Sequence, residues 1–181
     1  MNLLVIVDNN FQDVELTTVV SILKRSQQFN KIAFYNPCSR KATGQFEIVK
    51  FNNLETSVNL KDYQAVFVPG GKACFSFKDN KEIIKKIRHF FDKDKWVFAI
   101  CDAPNALRYN NLIKEQNYTS FPSAWSKELR SNSNYQNKGV VVFEKLITAK
   151  SSYYSQHLAF EIIRTLFGEK EYKLSKKLAK G

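Results

Sequence analysis

The thiol of Cys101 has the strongest claim to chemistry because of the residues on either side of it. An apolar run, residues 97–100, precedes it, and Pro104 suits the first turn of a helix. This is the layout of a nucleophile elbow, in which small residues such as Ala99 and Ala103 avoid a clash. The dipole of the following helix would favour the thiolate, so the pattern predicts a reactive Cys101 with a lowered pKa. An isolated cysteine would instead be interpreted as a small buried hydrophobe.

A second loop, Pro69-Gly70-Gly71, follows another apolar run at residues 65–68. Paired glycines let the backbone turn sharply and present N–H groups to an anion or oxyanion. Ligands of open α/β sheets bind at the carboxyl ends of the strands. We therefore expect the Gly-Gly loop and the Cys101 turn to form one site, which favours a functional role for the cysteine.

The elements that must position these loops follow from the spacing of apolar residues. Short apolar runs typical of strands occur at 3–7, 31–35, 46–51, 65–68 and 97–100, with one or two more within 139–147. Helical periods occur at 13–26, 81–91 and 153–167, and Gly168 is a favoured residue for ending the last of these. Strands alternating with helices predict an α/β fold with a doubly wound, mostly parallel central sheet and helices on both faces. A chain of 181 residues with 44% hydrophobic content suits a single domain over 1–181.

The formal charge of +11 raises the question of nucleic-acid binding. Lysines and arginines are spread over most of the chain, and the densest groups, 81–95 and 170–180, are interrupted by acidic residues. This pattern favours solvated faces and leaves nucleic-acid binding as a weak alternative. No apolar stretch approaches the roughly 18 residues of a membrane span, and the apolar N-terminus lacks the basic start of a signal peptide. We expect no membrane association.

The three cysteines, Cys38, Cys74 and Cys101, are odd in number and scattered. They make a poor disulfide framework and suit a reducing compartment, so a cytoplasmic location is expected. No C-x-x-C pair occurs, and only His89 and His157 could join the cysteines, so we predict no metal site. The Gly-Gly loop is neither a P-loop nor G-x-G-x-x-G, and no cofactor is predicted.

Taken together, these motifs resemble the DJ-1/PfpI (ThiJ) family within the class I glutamine-amidotransferase-like superfamily. The resemblance rests on Val68-Pro69-Gly70-Gly71, on Ala99-Ile100-Cys101 followed by Pro104, and on Asp13-Val14-Glu15 opening the first helix. The order and spacing match the family over almost the whole chain. Membership implies a flavodoxin-like three-layer sandwich and a homodimer.

The resemblance also implies roles for five residues. Cys101 would be the oxidation-prone nucleophile, with Glu15 hydrogen-bonded to it. Main-chain N–H groups in the Gly70-Gly71 loop and at Asp102 would line an anion pocket. A protonated Glu15 suits this role because an ionised carboxylate would oppose thiolate formation. The residues alone would suggest a solvated acid in the first turn of a helix.

Several positions depart from the family pattern. Many relatives place a histidine near the nucleophile where this chain has Phe121, so no obvious base remains. His157 is expected to form a helix-surface pair with Glu161 rather than to act in catalysis. Cys74 could approach Cys101 as a resolving thiol, although packing or partial exposure is favoured for it, and we assign no role to Cys38.

Two classes of function remain, with Cys101 at the centre of both. The first is an enzyme of glyoxalase or protein-deglycase type, acting on α-oxoaldehydes or their adducts. The second is a non-catalytic redox-sensing or chaperone-like stress protein in which Cys101 is oxidised. The expected partner at Cys101 is accordingly a small carbonyl compound or an oxidant. Peptidase and glutaminase activities are disfavoured by the missing histidine.

Overall fold

The computed structural model describes residues 1–180 and is built around one six-stranded sheet. Its strands, in chain order with a separate two-stranded hairpin, are β1 (Asn2–Ile6), β2 (Lys31–Tyr35), β3 (Ala42–Thr43), β4 (Lys50–Phe51), β5 (Ala65–Val68), β6 (Trp96–Ile100), β7 (Val140–Phe143) and β8 (Leu146–Ala149). The large sheet has the order β2-β1-β5-β6-β8-β7, and only the β7–β8 pair is antiparallel. Strands β5 and β8 are buried along their whole length, as parallel strands covered on both faces must be.

Helices pack in two groups on opposite sides of this sheet. They are α1 (Asp13–Arg25), α2 (Ala73–Phe77), α3 (Lys81–Asp92), α4 (Ala103–Tyr109), α5 (Ser155–Phe167) and α6 (Glu169–Lys180). Helices α1, α5 and α6 contact one another, whereas α2 contacts α3 and α4. This arrangement confirms the predicted doubly wound α/β fold with a mostly parallel sheet. No helix among residues 1–180 has both the length and the apolar character needed to cross a membrane.

The strand predicted at residues 46–51 is wrong. Most of this segment is a turn, and only Lys50–Phe51 pairs, as β4 of the small antiparallel hairpin with β3. The buried Asp13 carboxylate holds the turn by accepting backbone N–H groups of Phe46, Ile48 and Val49 at 3.0, 3.1 and 2.8 Å. These three bonds satisfy backbone donors that a strand would have paired within a sheet.

The register of the central strands brings the two predicted loops together. Val68 of β5 pairs with Ala99 of β6, so Gly70 and Cys101 each stand two residues beyond one matched pair. Helix α1 begins at Asp13, after the loop that follows β1, the neighbour of β5. The loops that follow the neighbouring strands β1, β5 and β6 therefore meet at the carboxyl edge of the sheet.

Candidate functional site

Cys101 lies in the tight turn between β6 and α4 with a φ of +63°. A non-glycine residue in this left-handed region is strained, and such strain is typical of functional turns. Two backbone hydrogen bonds hold the turn: the Cys101 N–H donates to the Ala149 oxygen at 2.9 Å, and the Phe121 N–H donates to the Cys101 oxygen at 2.8 Å. The residue is half-buried, unlike the fully buried Cys74.

Glu15, in the first turn of α1, is fully buried beside the cysteine. Its Oε2 accepts the Gly70 N–H at 2.8 Å. Its Oε1 is buried without a hydrogen-bond partner within residues 1–180, and the Cys101 thiol is near enough to act on the pKa of the carboxyl. The structure thus brings together the two side chains that the sequence predicts to act as a pair.

The absence of a side chain at Gly70 permits this approach. A Cβ placed there would lie 2.6 Å from the Cys101 Cβ, 2.8 Å from Glu15 Oε2 and 2.8 Å from the Ile100 oxygen. Contacts this short force movement of the backbone or of both functional side chains. Because the Gly70 N–H is engaged by Glu15, it is not free to bind an anion, in contrast to the expectation from the sequence.

Burial raises the pKa of Glu15 from 4.5 to about 7. The hydrogen bond from the Gly70 N–H and the nearby Cys101 thiol limit this rise in pKa, and the nearby charge of Asp102 adds to it. The carboxyl is therefore protonated in a large fraction of molecules near neutral pH, and it can both donate and accept a proton in that range.

The prediction of a lowered pKa for Cys101 is wrong. Burial, followed by the charges of Glu15 and Asp102, raises the pKa of this thiol well above its ordinary value, whereas a hydrogen bond from the Gly71 N–H lowers it. Helix α4 has only seven residues, so its dipole gives the thiolate little stabilisation. The neighbouring carboxyl groups of Glu15 and Asp102 oppose ionisation of the thiol. The resting sulfur is a thiol, and its reaction requires a group that removes the proton.

The backbone provides a place for an oxyanion next to the sulfur. Gly71 has a φ of +93°, and a Cβ on it would lie 2.5 Å from the Gln12 nitrogen, so only glycine suits this turn. Within residues 1–180, neither the Gly71 nor the Asp102 N–H donates to a protein oxygen. The Asp102 N–H is therefore free for a ligand, and the Gly71 N–H, which acts on the Cys101 thiol, has no protein oxygen as a competing partner.

The carboxylate of Asp102 is fixed by a network that the sequence analysis did not include. Its Oδ1 accepts Asn105 Nδ2 at 2.8 Å and also the Ser123 hydroxyl. Arg130 donates to the backbone oxygens of Phe121 and Ser123 at 3.2 and 2.9 Å. The three-residue spacing of Asp102 and Asn105 at the start of a helix could have predicted the contact between these two side chains. The sequence near Asp102 contains no pattern that predicts the contacts of Ser123 or Arg130.

Phe121 lies directly beside the nucleophile turn, so the expected histidine position is near Cys101 but carries no imidazole. His157 is exposed and packs against Tyr153 and Tyr154, with ring centroids 6.3 and 5.7 Å away. The expected pair with Glu161 is not formed, because that carboxylate pairs with Arg164 at 3.7 Å.

The other two cysteines differ in environment. Cys74 is completely buried, and burial raises its pKa, so it packs in the core rather than facing solvent. Cys38 is exposed, and Asn80 Nδ2 lies 3.6 Å from its sulfur. In the described part of the chain, no group of three or more His, Cys, Asp and Glu side chains is placed to hold a metal ion.

The doubly wound, mostly parallel sheet, with a strained cysteine turn at its carboxyl edge, places the chain among the flavodoxin-like folds. Residues 1–165 match the model of the DJ-1/PfpI family. The chain belongs to the DJ-1/PfpI family. It is 32% identical over 165 residues to an uncharacterized protein of Mycoplasma genitalium, covering 90% of this chain and 87% of that protein.

Two further comparisons extend this result. A protein named as a deglycase from Pyrococcus horikoshii is 25% identical over 142 residues, with 78% of this chain and 85% of that protein covered. The solved structure of DJ-1 from Schizosaccharomyces pombe superposes with a TM-score of 0.82 at 18% identity, covering 98% of this chain and 97% of that one. The structural likeness establishes the shared fold.

Proposed function

We propose that this chain is a cysteine-dependent enzyme of the glyoxalase or deglycase type, acting on α-oxoaldehydes or on their adducts. The observation that carries the proposal is the buried Glu15 carboxyl beside the strained Cys101 turn, with a pKa of about 7. A group with this pKa can take up and return protons at neutral pH, which replaces part of the role of the missing histidine. The relative named as a deglycase supports the choice of substrate class.

In the first step, the Cys101 sulfur bonds to the aldehyde carbon while the thiol proton passes to the ionised form of Glu15. The electron pair of the C=O bond moves to the oxygen, which the Gly71 and Asp102 N–H groups hold. Glu15 then returns the proton to this oxygen. The product is a neutral hemithioacetal, and no proton has left the site.

The glyoxalase outcome needs two internal proton transfers followed by hydrolysis. Glu15 moves the proton of the former aldehyde carbon to the neighbouring carbon, and the hydroxyl proton of the hemithioacetal passes to the oxygen of that neighbouring carbon. The two transfers together convert the hemithioacetal into a thioester of a 2-hydroxy acid. Water then cleaves the bond between sulfur and carbon, releasing the acid and restoring the Cys101 thiol. The sum of these steps is one oxoaldehyde plus one water converted to one 2-hydroxy acid.

The test is consumption of methylglyoxal and release of lactate by four proteins: wild type, Cys101→Ser, Glu15→Gln and Cys38→Ser. Wild type and Cys38→Ser should react equally because Cys38 is exposed and outside the site. Cys101→Ser should be inactive, and Glu15→Gln should lose about 10²-fold or more, as expected on removal of a general acid–base group. Equal rates in wild type and Cys101→Ser, or no lactate from wild type, would refute the proposal.

A non-catalytic redox role is the second candidate, favoured by the same donors. The Gly71 N–H lowers the pKa of the Cys101 thiol, and a protonated Glu15 could donate to an oxygen added at the sulfur. Mild peroxide followed by mass spectrometry should then show oxygen first at Cys101 rather than at the exposed Cys38. Preferential oxidation of Cys38 would contradict this role.

We further propose a homodimer, as the family suggests. Three apolar side chains are exposed around the start of α1: Val14, Phe46 and Ile48, with 47, 61 and 74% of their surface accessible. They are held near one another because Asp13 binds the turn that carries two of them. Sedimentation should show a dimer for wild type and a monomer for Ile48→Asp, whereas the same mass for both would argue against this surface.

The proposed location is the cytoplasm. All three cysteines are unpaired, which suits a reducing compartment. Fractionation of cells that express the chain should recover it with cytoplasmic markers, and recovery outside the cell would contradict this location.

A further inference from the structure

A group of aromatic side chains, which we call the aromatic rim, lies on the segments that flank the Cys101 turn. Phe75 follows the Gly-Gly loop in α2, Tyr109 ends α4, and Phe121 and Trp125 lie in the segment that hydrogen-bonds the cysteine turn. Phe75, Tyr109 and Phe121 keep 49, 50 and 41% of their surface accessible to solvent. Exposed rings on the segments that adjoin a candidate reactive residue are typical of a binding surface rather than of core packing.

Trp125 packs against two other rings of the rim. Its ring centroid is 5.9 Å from that of Phe75 and 6.5 Å from that of Tyr109, in tilted and edge-to-face arrangements. Its Nε1 is buried without an acceptor within residues 1–180. Such a donor is normally paired, so packing within the rim leaves the indole N–H without its usual hydrogen bond.

The rim is tied to the nucleophile by hydrogen bonds rather than only by proximity in sequence. The Phe121 N–H donates to the Cys101 oxygen at 2.8 Å, and the Ser123 hydroxyl donates to the Asp102 carboxylate. Arg130 binds the backbone oxygens of Phe121 and Ser123. The segment that carries two of the rings is therefore held in place relative to the sulfur.

We propose that the aromatic rim selects electrophiles in which the reacting carbon carries an aromatic or large apolar group, over the smallest oxoaldehydes. Such a group would stack on the rim while the carbonyl oxygen binds the Gly71 and Asp102 N–H groups. Phe121 contributes an apolar surface at the position where a histidine would have offered a polar one. The identity of the electrophile rests on the proposed function, whereas the selection itself does not require turnover.

The test measures covalent modification, and the exposed Cys38 provides a reference in every sample. Iodoacetamide and N-benzyl iodoacetamide carry the same reacting group, so mass spectrometry gives the Cys101/Cys38 rate ratio for each. In wild type this ratio should be about threefold to tenfold higher for the benzyl reagent, which is the contribution of one aromatic contact. Trp125→Ala and, independently, Phe75→Ala should remove most of this preference, and Trp125→Phe should keep it.

Tyr153→Ala is the matched control, because Tyr153 is an exposed aromatic residue outside the rim. It should keep the wild-type preference. Equal ratios for the two reagents in wild type, or an unchanged preference in both alanine variants, would overturn the proposal.

A parallel assay with phenylglyoxal and methylglyoxal separates this inference from the proposed function. Failure of wild type to consume either compound, combined with a benzyl preference in labelling, would refute the enzyme and support the rim. Consumption of both at equal kcat/KM without a labelling preference would support the enzyme and refute the rim.

Discussion

Replacing Glu15 by glutamine should change how the free energy of unfolding depends on pH. Glu15 binds its proton more tightly in the folded protein, where burial raises its pKa from 4.5 to about 7. Its contribution to stability is therefore complete below pH 4.5 and is lost as the pH rises through 7. A pKa difference of this size corresponds to a loss of about 3 kcal/mol between these limits. Glu15→Gln cannot ionise and should lack this loss, while its amide oxygen can still accept the Gly70 N–H.

The assay is denaturant unfolding of wild type and Glu15→Gln at intervals from pH 4 to pH 8.5. The difference in unfolding free energy should shift by about 3 kcal/mol in favour of the variant across this range. Glu115→Gln, at an exposed loop position, is the control and should follow wild type. Parallel curves for wild type and Glu15→Gln would refute the assignment of a protonated, buried carboxyl.

Three further substitutions test the parts of the site. Gly70→Ala should lower the free energy of unfolding by about 1–3 kcal/mol, because its Cβ would lie 2.6 Å from that of Cys101, and denaturant unfolding measures this. Asp102→Asn should speed alkylation of Cys101, since it removes a charge that raises the pKa of the thiol; a slower reaction in mass spectrometry would contradict this cause. Phe121→His should raise methylglyoxal turnover by placing an imidazole beside the nucleophile, and an unchanged rate would show that Glu15 already supplies the proton transfers.

The sequence predicts the central sheet well because its strands are buried on both faces. Residues 65–68 and 97–100 are continuous apolar runs, and the structure places both in the middle of the sheet. The small hairpin could not be predicted from its own residues. Its turn depends on the Asp13 carboxylate, which comes from a helix more than thirty residues earlier in the chain.

The candidate site also has features that local sequence predicts and features that depend on residues distant in the chain. Local sequence predicts the Cys101 turn, because strand, small residues and helix are consecutive. The direction of the thiol pKa could not be predicted, since it depends on burial and on carboxyl groups brought close by the fold. The anchoring of Asp102 by Ser123 is likewise a contact across 21 positions of the chain.

The pH dependence of alkylation at Cys101, measured in wild type and in Glu15→Gln, tests the central claim most directly. Mass spectrometry of each cysteine gives the Cys101 rate together with that of the exposed Cys38 in the same sample. If Glu15 removes the thiol proton, the wild-type Cys101 rate should rise with an inflection near pH 7 that is absent in Glu15→Gln, while Cys38 behaves alike in both. The same Cys101 profile in the two proteins would contradict the pairing of this thiol with Glu15.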